Sequence, residues 1–482
     1  MCRPFRAKIH LFIPLPRALA WAGMLPPFQG LKKASPKSDI IRIKEIIMPK
    51  NNLLPLVADE QGQIFELENY TAAACCGPGN FEILTSQNTI PMPHGSELMF
   101  LPDRSPIVFN PQTNTFETIF DNPYEPGARL FPISVFCSPG YVLSHVSAFV
   151  VENDCVPLPL FSYGAVALDG DNFRVAAIQV DREPRQDLRR MPISKVRQGV
   201  KKLEKLMPNN RLRQHLSHCA LVYGCPAAKN FFIGRCEAPL PTSTSCNARC
   251  LACLSSPDNC ASRCSQERMT FTPTANEIAE VALHHFKKVK NGIVSFGQGC
   301  EGDPLMASHV IEPAIQMIRQ QTDQGTINLN TNASRPDLLE PLFSAGLDSI
   351  RVSINSLQPD IYLRYFRPVN YTFAHVMKSI DMALSHDKHV ALNYLNCPGF
   401  TDTAQEVSAL EQFLHQYPIH LIQWRNLNID PLWYFSELFD NQLEIGMGIA
   451  NLLTHLRKNF PKLRFGYFNP SKENYMQDRV ET

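Results

Sequence analysis

The chain has 482 residues, enough at roughly 150 residues per domain for about three domains and a large buried core. Its apolar fraction of 44% and charged fraction of 19% are those of a folded protein. The net charge of +1, from 46 Lys and Arg against 45 Asp and Glu, argues against a general nucleic-acid binder with a strongly basic face. No uncharged apolar run reaches the ~18 residues of a membrane helix, so neither a membrane nor bulk nucleic acid is expected as a partner. The 15 cysteines are too many and too clustered to ignore. In a chain of this length without a secretory signal they point to metal or catalysis in a reducing, cytoplasmic setting.

Residues 1–47 form a basic, proline-broken arm. Nine Lys or Arg face only Asp39 and Glu45, and Arg17 splits the one stretch resembling an h-region. The expectation is a disordered tail, or sequence upstream of a start at Met48. From 48 to 235 short apolar runs alternate with Pro, Gly, Asn and Asp, the pattern of a β-rich α+β domain. It ends in helical periodicity over Ile193–Leu216, interrupted by Pro208, and its role is not legible.

From 236 to 430 the pattern becomes regular strand–helix alternation. Strands are predicted at Gly292–Phe296, Thr326–Asn330, Ser349–Ile354, His389–Leu395 and His420–Leu427, with one more before the cysteines. Thr274–Glu277 and Thr403–Glu406 read as capping boxes, and Gly346 as a helix stop. Such repeats imply a mostly parallel sheet with right-handed crossovers, and six strands make a partial barrel. Within the strands Ile327 and Leu329 alternate with Asn328 and Asn330, and Ile350, Val352 and Ile354 with Arg351, Ser353 and Asn355. Helices must cover the apolar face, so the polar side chains point into the lumen. That suggests a ligand there; an edge with one wet face is the competing reading. His284 and His285, in a predicted helix, are expected at its surface and edge. Arg425, Asn426 and Asn428, with Asn393 and Asn396, sit near strand ends as candidates for substrate or adenine contact. Residues 431–482 are expected to be a helical closing element over the barrel mouth, with Pro431–Phe439 and Ile445–Lys458 helical and Leu463–Phe468 a short strand.

Ahead of this alternation stands Ser245-Cys246-Asn247-Ala248-Arg249-Cys250-Leu251-Ala252-Cys253, a C-x3-C-x2-C triplet. Three thiolates on one loop can hold three irons of a cubane and leave the fourth open to a ligand. After the second predicted strand comes Gly297-Gln298-Gly299-Cys300-Glu301-Gly302-Asp303-Pro304. The triplet, this turn, and the strands Asn328–Asn332 and Ser349–Asn355 in that order resemble the radical S-adenosylmethionine (radical SAM) superfamily over about residues 240–430. The resemblance implies an α/β fold with a partial (β/α)6 barrel of radical SAM type. It implies a [4Fe–4S] cluster on Cys246, Cys250 and Cys253, and S-adenosylmethionine (SAM) bound by its amino and carboxylate groups at the open iron. One-electron cleavage of SAM then gives a 5′-deoxyadenosyl radical that abstracts hydrogen from a substrate. It implies a turn near the SAM amine at Gly299, Gly302 and Asp303, with Asp303 where Glu is commoner. Asn330 is carried into the cofactor site, Ser353 and Asn355 to ribose, and Arg351 to the SAM carboxylate. A low-potential donor such as a flavodoxin or ferredoxin would supply the electron. A zinc-binding interaction protein is the competing reading of the triplet, and a non-catalytic Fe–S or SAM-binding module that of the whole. Cys219, Cys225 and Cys236 on one side, or Cys260 and Cys264 on the other, are candidates for an auxiliary cluster. Cys300 and Cys397 are read as packed small hydrophobes beside the site.

Overall fold

The computed structural model describes residues 53–151, 155–255, 265–440 and 443–475. The 1–47 arm, Cys260 and Cys264 lie outside the described residues. Among the described residues no helix is long and apolar enough to cross a membrane.

The first half is antiparallel β structure. Leu54–Ala58 lies between Val166–Asp169 and Phe131–Phe136 in one sheet, and Arg104–Asn110 lies between Thr71–Cys75 and Phe149–Val151 in another. The single predicted helical stretch then splits into α1 (Ile193–Leu206) and α2 (Arg211–Leu221). Pro208 cannot continue the helix, and the Asn210 side chain restarts it by accepting the Arg213 N–H at 2.9 Å. Helix α3 (Pro226–Phe232) follows.

The second half is a parallel sheet of seven strands in sequential order. They are β1 (Glu237–Pro239), β2 (Ile293–Phe296), β3 (Thr326–Thr331), β4 (Ser349–Ile354), β5 (His389–Asn396), β6 (Leu421–Asn426) and β7 (Arg464–Gly466). Between them run α4 (Ala275–Lys288), α5 (Ser308–Arg319), α6 (Leu339–Ala345), α7 (Pro359–Phe366), α8 (Phe373–Ser385), α9 (Ala404–Gln416), α10 (Pro431–Leu438) and α11 (Ile449–Asn459). The seventh strand is the difference from the six expected. The C-terminal segment does more than close the mouth, because Leu421–Gln423 pair in parallel with Arg464–Gly466.

Local rules account for most helix ends. Thr274 and Glu277 make the reciprocal capping box at α4, and Gly346, at φ 113°, ends α6. The second box does not form. Thr403 makes no side-chain cap, and Glu406 is fully buried instead, accepting from Ser356 Oγ at 2.7 Å, Leu357 N–H at 2.9 Å and Gln358 Nε2 at 2.8 Å. A buried carboxylate with these donors, and the Tyr394 hydroxyl as well, outweighs a single helix cap. His285 also departs from expectation. It is buried, with Nε2 on the Cys236 carbonyl at 3.1 Å, and burial pushes its pKa down to about 4.

The two halves meet at the C-terminal ends of β5 and β6. Leu143 N–H donates to Asn426 Oδ1 (2.8 Å), Asn396 Nδ2 donates to the Leu143 carbonyl (2.8 Å), and Asn426 Nδ2 to the Tyr141 carbonyl (2.9 Å). These two asparagines therefore hold the N-terminal domain, not a substrate. Beside them Arg104 and Asp430 form a buried ion pair at 3.0 Å. Asp430 also accepts the Leu158 N–H at 3.1 Å and caps α10 through the Leu432 N–H at 3.0 Å. Removing one partner of such a pair leaves an uncompensated buried charge. Arg104→Met is therefore expected to cost about 3 kcal/mol or more, read as a lower denaturation midpoint. An unchanged midpoint would show that the interface does not depend on this pair.

Candidate active site

The polar lumen predicted from strand parity is present, but it is dry. Asn328 and Asn330 are only 2% and 7% exposed, so the wet-edge reading fails. Asn328 Nδ2 donates to Asn330 Oδ1 (2.8 Å) and Ser349 Oγ to Asn328 Oδ1 (2.8 Å). Asn469 Nδ2 reaches Glu237 Oε1 (2.9 Å), and Gln423 Nε2 reaches Asn469 Oδ1 (2.8 Å). Arg185, from the N-terminal half, donates to Glu237 Oε2 at 2.9 Å. At this depth the polar side chains satisfy one another in a network of their own. Asn330 belongs to it. Its Nδ2 holds the Gly297 carbonyl at 3.0 Å, which makes it a positioning residue for the turn.

Above this network lie the cysteine loop and the glycine turn. Glu301 joins them. Its Oε2 accepts the N–H groups of Thr242 (2.7 Å) and Ser243 (2.8 Å), just after β1. Its Oε1 accepts those of Gly297 (2.8 Å) and Gln298 (2.7 Å), just after β2. Burial pushes the carboxyl up to about 7, and the four N–H groups oppose that shift. Gly302 N–H donates to the Ser243 carbonyl (2.7 Å) and Asp303 N–H to the Ser245 carbonyl (3.0 Å), one residue before Cys246. Two glycines are required by space. A Cβ on Gly302 would stand 1.9 Å from the Ser245 carbonyl, and one on Gly297, at φ +77°, 1.8 Å from that of Asn330. Gly299 is less constrained, a Cβ there meeting the Gln266 side chain at 2.7 Å.

Asp303 faces inward. Its carboxylate accepts Thr331 Oγ1 (2.9 Å), the Leu305 N–H (3.0 Å) and the Asn332 N–H (2.6 Å), tying the turn to the end of β3. Burial pushes it up to about 6 against those bonds. With both oxygens engaged, Asp303 positions the turn.

The cysteine loop is fastened on its other side too. Asn247 Oδ1 accepts Asn332 Nδ2 (2.9 Å), and Asn247 Nδ2 donates to Ser334 Oγ (2.9 Å) beyond β3. The Arg249 and Leu251 N–H groups donate to the Phe366 and Tyr365 carbonyls, each at 2.9 Å, at the end of α7. None of Cys246, Cys250 and Cys253 is joined in a disulfide among the described residues. Burial, then Asp303, pushes Cys246 up to about 11; burial, then its two neighbouring cysteines, pushes Cys250 well up. Arg268 Nη2 approaches Cys253 Sγ at 3.6 Å. Asn247, Arg268 and Glu301 were not picked out in the sequence. The only signal for Glu301 was its position inside the glycine turn.

The geometry tests the group these cysteines fit. A tetrahedral zinc with bonds of about 2.3 Å needs sulfurs within about 4 Å of each other. Among the described residues, sets of three ligand atoms mutually within 4.8 Å occur at His215, Cys219 and Cys300, and at Cys76, Glu82 and His145, not at the triplet. The wider triplet suits a multi-iron cluster.

Of the remaining predicted residues, Arg351 lies in the lumen with Nη1 on Gln423 Oε1 at 3.1 Å. Burial, then Arg425, lowers it to about 9. Ser353 is half-buried on the same strand face, while Asn355 is buried with Nδ2 on the Ile361 carbonyl at 3.5 Å, turned toward α7. Asn393 Oδ1 accepts Arg425 Nε at 2.9 Å, and the guanidinium stacks on Tyr467 at 3.7 Å. Cys397 is buried in the core. Cys236 stands among Arg185, Glu183 and Glu237, apart from Cys219 and Cys225.

Residues 240–413 match the family model of the Radical SAM superfamily. Similar solved structures include methylornithine synthase (PylB), at 16% identity and TM-score 0.35 over 53% of this chain and 74% of that one. They include the FeFe-hydrogenase maturase HydG from Carboxydothermus hydrogenoformans, at 15% and 0.34 over 58% and 67%. A third is Streptococcus suis SuiB bound to S-adenosylmethionine, at 14% and 0.32 over 48% and 49%. No curated protein sequence matches the chain. The assignment rests on the family match and the geometry.

Glu301→Gln removes an acceptor that serves two N–H groups and turns it into a donor. Reconstituted iron content is expected to fall at least about fivefold, more than a kcal/mol-scale loss of loop anchoring would need. Full iron loading in this variant would show that the strut is dispensable.

Proposed function

We propose, from the premise that residues 240–413 are a radical SAM domain, that this chain is a radical SAM enzyme. It would hold a [4Fe–4S] cluster on Cys246, Cys250 and Cys253 and bind SAM beside the turn Gly297–Asp303. The observation that carries this reading is the Glu301 strut, which locks the three-cysteine loop against the glycine turn at the C-terminal ends of β1 and β2. Barrel chemistry sits at that end of the strands. When bound, cluster and SAM together supply one-electron cleavage of SAM and a carbon radical that takes hydrogen from a substrate.

The chain's own residues orient and enclose. Asn247 and Asp303 hold loop and turn to β3, so the cysteines keep their spacing before iron arrives. Arg268 brings a positive charge and an N–H toward the Cys253 sulfur, a contact that tunes the potential of such clusters. Arg351 Nε and Arg425 Nη1 are buried without a hydrogen-bond partner among the described residues. The nearby Glu237 is committed to Arg185, Ser295 and Asn469, so the two guanidinium groups are left to receive an anion. We assign Arg351 to the SAM carboxylate and Ser353 to ribose. The N-terminal domain, seated on β5 and β6, walls the mouth where a substrate would enter. A flavodoxin- or ferredoxin-like donor supplies the electron.

The decisive measurement is EPR of anaerobically reconstituted, reduced protein with and without SAM, with assay of 5′-deoxyadenosine. Wild type is expected to give a [4Fe–4S] signal that SAM perturbs, and to form 5′-deoxyadenosine; Cys250→Ala should do neither. A cluster indifferent to SAM would leave a non-catalytic module. In the same material Arg351→Gln is expected to weaken SAM binding about tenfold, the loss of one charge-assisted pair, with iron content unchanged. Unaltered affinity would remove Arg351 from the cofactor site.

A further inference from the structure

Outside the cysteine triplet, one cluster has the dimensions of a metal site. His215 and Cys219 lie one helical turn apart on α2, on the same face. Cys300 lies in the glycine turn after β2. His215 Nε2 is 3.3 Å from Cys300 Sγ and 3.4 Å from Cys219 Sγ. The three ligand atoms lie mutually within 4.8 Å. Around a tetrahedral zinc, bonds of about 2.3 Å to sulfur and about 2.0–2.1 Å to nitrogen place N and S about 3.5 Å apart. The observed spacings fall close to that value. Cys219 and Cys300 are 3% and 7% exposed, and both are free thiols. The His215 ring is set edge-on against Phe271 at 6.2 Å, which fixes its plane.

We propose that His215, Cys219 and Cys300 bind a single zinc ion that staples the N-terminal helix α2 to the glycine turn. The donor set, one imidazole and two thiolates, is that of structural zinc. The location gives the ion a purpose. Cys300 is followed directly by Glu301, whose carboxylate holds the cysteine loop, and the Cys300 carbonyl accepts the Met269 N–H at 2.8 Å. An ion here would brace the turn from behind. Helix α2 already touches the barrel at α4, where Asn210 Nδ2 donates to Glu280 Oε2 at 2.7 Å and Arg211 pairs with Glu277 at 2.7 Å, and the ion would extend that contact to the glycine turn.

The test measures zinc and iron by elemental analysis in the full chain carrying Cys246→Ala, Cys250→Ala and Cys253→Ala together. That variant cannot assemble the triplet cluster. It is expected to retain about one zinc per chain, as the wild type does. Adding Cys219→Ser or His215→Gln should lower zinc about tenfold. After anaerobic chelation, Co2+ should restore thiolate-to-cobalt charge transfer only where Cys219 is intact. If the triple variant does not fold, the same comparison is made between wild type and Cys219→Ser without cluster reconstitution. No zinc and no cobalt band, iron in place of zinc, or a Cys219–Cys300 disulfide by mass would each overturn the proposal. Zinc present in a wild type that neither loads iron at the triplet nor responds to SAM would sink the radical SAM reading while leaving this one standing.

Discussion

A single buried carboxylate organises the site. Glu301 accepts four backbone N–H groups, two from the segment leading into the cysteine loop and two from the glycine turn. Neither segment is a helix or strand, so neither has a ladder of its own to satisfy those donors. Buried N–H groups without acceptors would cost more than irregular backbone can tolerate. One side chain resolves both problems, and it does so at the place where the ends of β1 and β2 are adjacent. Asp303 repeats the device one step along the sheet, tying the turn to β3.

The rest of the half-barrel supports that layer. Below it the lumen is a closed polar network running from Glu237 through Asn328, Asn330 and Gln423 to Asn469, with Arg185 reaching in from the N-terminal half. A filled floor restricts ligand chemistry to the C-terminal strand ends. Arg351 and Arg425 stand at its upper edge with donors to spare, and both share Gln423 Oε1. The N-terminal β domain then covers β5 and β6 through Asn396, Asn426 and the Arg104–Asp430 pair. It is seated at the C-terminal ends of those two strands.

Much of this was legible in the residues themselves. Alternation in Ile327–Asn330 and Ile350–Asn355 gave the strand faces, Thr274–Glu277 gave a helix start, and the C-x3-C-x2-C triplet with its glycine turn gave the chemistry. The misreadings share a cause. Thr403 and Glu406 satisfy a local capping rule, yet Glu406 is drawn to the loop after β4 by donors nearly 50 residues away. Asn396 and Asn426 look like ligand contacts because nothing local uses them; their partners lie more than 250 residues upstream. That Arg464–Gly466 is the seventh strand of the parallel sheet is recognisable only by its pairing with β6.

The sequence by itself determined the order of strands and helices, the parallel sheet, and the thiolate loop beside a glycine turn. Those features depend on spacing within a few residues, where periodicity and ligand chemistry speak directly. Tertiary structure alone decided that Glu301 and Asp303 act as struts, that the lumen floor is filled by its own side chains, and that His215 and Cys219 meet Cys300. Each of those outcomes depends on which distant donor reaches a buried acceptor first, and on the free-energy cost of leaving one unpaired. That competition is settled by the packed fold, not by any short stretch of chain.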